Sequence, residues 1–158
     1  MKLTTKGRYA VTAMIDLALH AKVEHIALVD VAARQGLSLA YLEQLFRSLR
    51  RAHLVESIRG AKGGYRLARS EKLISLADIL IAAGEKINLS CGAGSTCSDH
   101  DPCLGHSIWT GLSSELYEFL HSKKLSDLAR SKAVQTLATQ QDIRQIGNIP
   151  IQIDSQQL

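Results

Sequence analysis

The residues of this chain best equipped for chemistry lie in one short stretch, CGAGSTCSDHDPCLGH, residues 91–106. It holds all three cysteines of the sequence and closes on a histidine, in the spacing C-x5-C-x5-C-x2-H: Cys91, Cys97, Cys103 and His106. Thiolate sulfur and imidazole nitrogen are the donors that transition metals prefer, and four of them in so short a window predict a metal centre. Gly92, Gly94, Ser95 and Thr96 are small enough to let the loop close round it, and His100 is a substitute ligand without helical support. Asp101-Pro102 reads as an N-cap and first helical residue. That start would put Cys103 in the first turn, where the helix dipole favours a thiolate, and Cys103 and His106 on one face. Zinc accepts three cysteines and a histidine, but its knuckles usually hold pairs two to four residues apart. The five-residue gaps leave room for a [2Fe–2S] cluster, for which histidine in place of cysteine is established chemistry. Spacing alone leaves zinc and iron–sulfur both open, beside two plainer readings: a redox thiol pair, and cysteines buried as small apolar residues.

The flanking sequence predicts a mainly α scaffold for this centre. Tyr9, Ala10, Ala13, Met14, Leu17 and Ala18 follow the helical period and give a helix over Gly7–Ala21 one apolar face. LVDVAARQ predicts a short amphipathic helix with Val31 and Ala32 inward. Gly36 supplies a tight turn, and Leu39, Leu42, Leu45, Phe46 and Leu49 stripe a further helix that ends near Arg51. Two short helices joined at a glycine are the helix-turn-helix pattern. The opposite side of the second helix carries Ala40, Gln44, Arg47 and Arg51, flanked by Glu43 and Ser48, with Ser38 and Tyr41 at its N-terminal edge. Such long polar side chains suit phosphates and base edges in a major groove of double-stranded DNA. A helical hairpin with a charged outer face is the plainer alternative.

Next, VESIR and YRL predict two strands around the turn GAKGG, a basic wing with Arg59 and Lys62 at its tip. GAKGG has neither Walker spacing nor a dinucleotide fingerprint, and it precedes a strand, so a nucleotide-binding loop is set aside. Ser75-Leu-Ala-Asp78 matches a capping box and opens a helix that runs to about Ala83 and ends at Gly84. Beyond the cysteines, Leu104, Ile108, Leu112, Leu116 and Leu120 recur every four residues beside Trp109 and Phe119. So long a stripe predicts a helix that pairs with its own copy in a homodimer, the form in which groove-binding helices act. Packing on its own domain is the alternative. One more helix is expected over Leu125–Leu137, and the polar chain from Gln140 reads as a flexible tail around IGNIPIQI. The expected division is a winged helix-turn-helix DNA-binding domain over 1–84, a cluster-binding loop over 85–106, a dimerisation helix and following helix over 102–138, and a flexible tail over 139–158.

The bulk figures bound the class of protein. An apolar fraction of 46% supports a core, and with only 4% aromatics that core is aliphatic and leans to helix. Residues 1–70 hold 12 Lys and Arg against 5 Asp and Glu, and residues 71–158 hold 7 against 10. The basic half therefore points to a polyanion partner. No apolar run approaches the ~20 residues that span a bilayer. The first residues do not read as a signal peptide, because Asp16 interrupts the apolar stretch and no small-residue cleavage site follows. A cytoplasmic protein without a membrane partner is expected, and there thiols stay reduced. No nucleophile–base set stands out, so an enzyme is not expected.

On KLTTKGRYAVTAMIDLAL, SLAYLEQLFRSLRRAHLVESIRG, GGYRL and the C-x5-C-x5-C-x2-H spacing, the chain resembles the bacterial iron–sulfur cluster regulators, the IscR family of winged helix-turn-helix repressors, over roughly residues 1–137. The resemblance implies a homodimer that binds one [2Fe–2S] cluster per monomer through Cys91, Cys97, Cys103 and His106. It implies repression of cluster-assembly genes by the cluster-bound form, binding of a second class of promoters by the apo form, and cluster-donating assembly proteins as partners. It assigns Glu43 a part in discriminating the two site classes, and DNA contacts to Ser38, Tyr41, Gln44 and Arg59. The sequence departs from the pattern at Ala40, where relatives often carry Ser, and in the wing, where GAKGG adds the charge of Lys62. A zinc-stabilised DNA-binding repressor and an iron–sulfur electron carrier are the competing functions.

Overall fold

The computed structural model describes residues 3–21, 25–60, 62–89, 97 and 102–147. Its elements are α1 (Thr5–His20), α2 (Leu28–Gln35), α3 (Leu39–Arg51), β1 (Val55–Ile58), β2 (Gly64–Leu67), α4 (Leu76–Ala82), α5 (His106–Ser122), α6 (Leu125–Arg130) and α7 (Lys132–Gly147). The first six make a winged helix-turn-helix, and α5 to α7 follow the cysteine segment.

Local chemistry sets most of these boundaries. The Thr4 side chain caps α1 by accepting from the Gly7 N–H, and Ala10, Ala13, Met14, Leu17 and Ala18 bury one face of the helix. α2 ends at Gly36, whose φ of +64° is the left-handed conformation that a side chain resists. Ser38 then caps α3, its Oγ accepting from the Tyr41 N–H at 3.1 Å. Leu42, Leu45, Phe46 and Leu49 are buried as the stripe predicts, whereas Leu39 stays 41% exposed at the first turn beside the wing. α4 carries the complete capping box: Asp78 N–H donates to Ser75 Oγ at 3.1 Å and Ser75 N–H to Asp78 Oδ2 at 2.9 Å.

β1 and β2 pair antiparallel, from Val55 opposite Leu67 to Ile58 opposite Gly64. Ile26 adds a third edge: its N–H donates to the Tyr65 carbonyl at 2.9 Å and its carbonyl accepts from the Tyr65 N–H at 2.8 Å. Gly64 permits this approach, because a Cβ there would lie 2.4 Å from the Ile26 carbonyl oxygen.

One core unites α1 to α4 with α6, built round Met14, Leu17, Phe46, Leu49, Leu54, Ile79 and Leu125. Each such side chain, fully buried, contributes about 1.5–3 kcal/mol. A smaller cluster of Ala77, Leu80 and Leu120, with Leu116 against it, seats the C-terminal half of α5 on α4. No helix among the described residues is long and apolar enough to cross a membrane.

Three expectations are corrected. α5 begins at His106, not at Pro102. Cys103 and Leu104 form a turn ahead of it, in which the Cys103 carbonyl accepts from the His106 N–H at 3.0 Å. A helix begun at Pro102 would enclose Gly105, at a cost of about 1 kcal/mol, and Gly105 instead takes the N-cap position. Cys103 is therefore outside the first helical turn, and it does not share a helical face with His106. Asp101 lies outside the described residues. Second, the helix expected over Leu125–Leu137 is broken at Ser131, which is extended (φ −61°, ψ 138°) and separates α6 from α7. Third, α7 continues to Gly147, so residues 139–147 of the expected flexible tail are helical. Residues 148–158 lie outside the described residues.

Candidate nucleic-acid interface and metal centre

α3 presents Glu43, Gln44 and Arg47 to solvent, and the hairpin beside it exposes Arg59 and Lys62. Between them runs an open groove of about 500 Å³, lined by Glu43, Arg47, Arg50, Ser57, Arg59 and Tyr65 among others. Two aromatic contacts hold its walls. Tyr65 of the wing packs edge-on against Phe46 of α3, with ring centres 4.9 Å apart. Tyr41 packs edge-on against Tyr9 of α1 at 5.7 Å, which fixes the half-buried Tyr41 at the N-terminal end of α3. Ser38 sits at that same end as the cap.

Two residues of this face escaped the sequence reading. Arg50 donates from Nη1 to Ser57 Oγ at 3.2 Å and ties α3 to β1. It lies three residues beyond Arg47, so the helical period could have found it. His25 meets the Lys62 carbonyl through Nε2 and pins the wing turn to the loop before α2; no sequence pattern announces such a side chain–backbone contact. Arg51 is placed differently from Arg47. It lines a second depression with Ser48, Leu54, Arg69 and Asp78, where Arg69 and Asp78 pair at 3.5 Å.

At the other site, Cys97 Sγ lies 3.2 Å from His106 Nδ1, and the Cys103 N–H donates to the same sulfur at 3.2 Å. Two of the four expected ligands thus converge, and the third is bonded through its backbone. Cys91 and the substitute His100 lie outside the described residues, and among the described residues no group of three His, Cys, Asp or Glu side chains converges as a metal site. The segment leading in is held at both ends. Thr4 donates to Glu85 from its N–H, at 3.2 Å, and from its hydroxyl. Leu89 N–H donates to Ser113 Oγ on α5 at 2.7 Å.

The helix-turn-helix with its wing is matched by comparison with known proteins. A family model named Rrf2, described as an iron-dependent transcriptional regulator, matches residues 3–131. The chain belongs to the Rrf2 family. The HTH-type transcriptional regulator ORF2 of Azotobacter vinelandii is 48% identical over 152 residues, 96% of this chain and 93% of that protein. The HTH-type transcriptional regulator IscR of Vibrio campbellii is 44% identical over 144 residues, 90% of this chain and 86% of that protein. Among solved structures, CymR of B. subtilis, the global cysteine regulator, aligns with a TM-score of 0.69 at 36% identity over 82% of this chain and 96% of its own. IscR of T. potens aligns with a TM-score of 0.64 at 38% identity over 81% and 85%. These relatives are named as transcriptional regulators, and this Rrf2 chain is a winged helix-turn-helix transcriptional regulator rather than an enzyme.

Proposed function

We propose that the chain is a cluster-sensing repressor. It acts in the cytoplasm as a homodimer on double-stranded DNA, and it carries one [2Fe–2S] cluster per monomer on Cys91, Cys97, Cys103 and His106. The observation that carries this reading is the approach of Cys97 Sγ to His106 Nδ1 at 3.2 Å, at the start of α5. A thiolate and an imidazole in contact are a fitting half of a three-cysteine, one-histidine donor set. The Cys103 N–H on Cys97 Sγ is the kind of sulfur hydrogen bond that tunes such a centre. When bound, the cluster supplies a removable cross-link and a change of local charge.

The chain's own residues give that site two mechanical outlets. Glu85 ties the entering segment to the N-cap of α1, and Ser113 ties it to α5. The segment that enters the site thus touches both the DNA-binding half and the helix proposed to pair with its copy. At the DNA, Arg47 and Arg59 supply phosphate and base contacts from the two walls of the groove, with Ser38, Tyr41, Gln44, Arg51 and Lys62 round it. Glu43 supplies discrimination: a carboxylate accepts from a cytosine amino group and is repelled where it meets only acceptors and phosphates. The targets proposed from the family resemblance are cluster-assembly genes for the loaded form and a second promoter class for the apo form. Cluster-donating assembly proteins are the partners.

The test is an oxygen-free purification followed by iron and sulfide analysis, with promoter binding compared between the loaded protein and Cys97→Ala. Iron and sulfide in equal amounts, and weaker binding of the variant at cluster-assembly promoters, are expected. Zinc without sulfide, or equal affinity at every such promoter, overturns the reading.

A further inference from the structure

α7 is held to the winged-helix domain by a chain of polar side chains, one of which can complete it only while carrying a proton. Asp16 of α1 lies at the centre, buried. Arg34 of α2 donates to it twice, from Nε to Oδ2 at 2.9 Å and from Nη2 to Oδ1 at 2.6 Å, and Gln35 Nε2 donates to Oδ2 at 2.7 Å. One turn along α1, His20 places Nδ1 2.8 Å from the Asp16 carbonyl oxygen and 3.5 Å from Asp16 Oδ1. Its Nε2 lies 3.1 Å from Oδ1 of Asp142 on α7. Beside this contact Gln35 and Gln141 exchange hydrogen bonds at 3.1 and 3.4 Å.

Both ring nitrogens of His20 thus face oxygens. The Asp16 carbonyl can only accept, and so can the ionised carboxylates of Asp16 and Asp142. A neutral imidazole has a single N–H and leaves one of these oxygens facing a lone pair; the imidazolium has two and satisfies both sides.

We propose that His20 is a proton-operated latch fixing α7 to α1 and α2. Protonated, it bridges Asp16 and Asp142. Deprotonated, it releases Asp142 and leaves α7 the Gln35–Gln141 pair. Val134, Leu137 and Ala138 of α7 line a cavity of about 190 Å³ together with Thr12, Ile15 and Leu19 of α1. Among the described residues, the charged groups that face His20 are Asp16 from α1, Arg34 from α2 and Asp142 from α7. Arg34 opposes the proton, but its guanidinium is matched by Asp16. The hydrogen bond to the Asp16 carboxylate raises the His20 pKa above its ordinary 6.5, against the opposing effect of burial. The sign follows. The docked state binds the proton more tightly than the undocked state, so docking is strongest below the undocked pKa and is lost as pH rises through the docked pKa. Because α2 packs behind α3, the latch gives the C-terminal helix a pH-dependent hold on the helix-turn-helix.

The test follows the His20 ring and the backbone amides of α7 by nuclear magnetic resonance in the isotope-labelled full-length protein, from about pH 5 to about pH 8. The α7 amides are expected to move with the same midpoint as the His20 ring, towards the docked position in acid. Asp142→Asn keeps an acceptor but removes the charge, and is expected to lower that midpoint by roughly 0.5–1 pH unit, a three- to tenfold loss of proton affinity. His20→Gln is expected to make the α7 amides indifferent to pH. The unmodified chain decides first: α7 amides that ignore the His20 titration overturn the latch, as does an Asp142→Asn midpoint that stays where it was.

Discussion

At the scale of single residues, Asp16 shows how this fold tolerates a charge in its core. The residue is 1% exposed, and burial alone would push its pKa up. The hydrogen bonds from Arg34, His20 and Gln35 and the charge of Arg34 outweigh that effect and bring it down to about 2. Arg34→Ala would leave the carboxylate buried without its main partner, and a loss of about 3–5 kcal/mol is expected in urea denaturation at neutral pH. The same pairing sets the acid limit. The folded pKa lies below the unfolded 3.8, so the stabilisation is complete above that value and is lost as pH falls towards about 2. The loss is roughly 2 kcal/mol, measurable by repeating the denaturation at stepped acid pH. Gly64 is constrained in a different way. A methyl group there would meet the Ile26 carbonyl oxygen at 2.4 Å and its carbon at 2.6 Å, both backbone atoms that cannot swing aside. Gly64→Ala is expected to break the Ile26–Tyr65 bridge, at a cost of about 1–3 kcal/mol. Faster exchange of the Ile26 and Tyr65 amide hydrogens would register it.

At the scale of elements, the proposed DNA-binding groove between α3 and the wing would separate affinity from selectivity. Arg47→Ala removes a positive charge from one wall of that groove. It is expected to weaken every operator by a similar factor and to lower the salt slope of binding by about 1. Glu43→Ala removes a negative charge but no phosphate-contacting cation, so it is expected to change the salt slope less than Arg47→Ala does while narrowing the affinity gap between operators. Both are read from operator titrations at several salt concentrations. The elements legible in the sequence are those whose signals are local. Gly36 and Ser38 mark the turn of the helix-turn-helix, Ser75 and Asp78 write out their own capping box, and the glycines of GAKGG separate two strands. The start of α5 was misread because Pro102 is a strong local signal that a nearby glycine overrides. The extent of α7 is not legible because its apolar residues gather on no buried face: what holds it is Gln141 and Asp142 meeting Gln35 and His20, more than a hundred residues away in the chain. The proposed metal site is legible only as the spacing of Cys91, Cys97, Cys103 and His106, and the contact between Cys97 and His106 depends on how the turn before α5 folds. The helical period likewise gives no rule for sending Arg50 to the groove and Arg51 to the far side.

At the scale of the whole molecule, the leucine series on α5 is divided between two faces. Residues repeated every four positions drift by about 40° per step on a helix of 3.6 residues per turn. Ile108, Leu112 and Phe119 fall within about 40° of one another by that geometry, while Leu116 and Leu120 are turned roughly 80° and 120° from Ile108. The structure follows this division. Leu116 and Leu120 pack on Ala77 and Leu80 of α4. Ile108 is 67% exposed, Phe119 57% and Leu112 44%. An exposed apolar series of this kind suits a second copy of the same helix. Leu112→Glu should therefore act on assembly and leave the fold alone. Sedimentation is expected to show the mass halving, circular dichroism to stay unchanged, and operators with two half-sites to lose most of their affinity while a single half-site does not. Leu120→Glu buries its charge against α4 and should instead lower the melting temperature of the winged domain itself. If Leu112→Glu still sediments as the unmodified protein does, the strip serves some other partner and the pairing of two recognition helices must be sought elsewhere on the molecule.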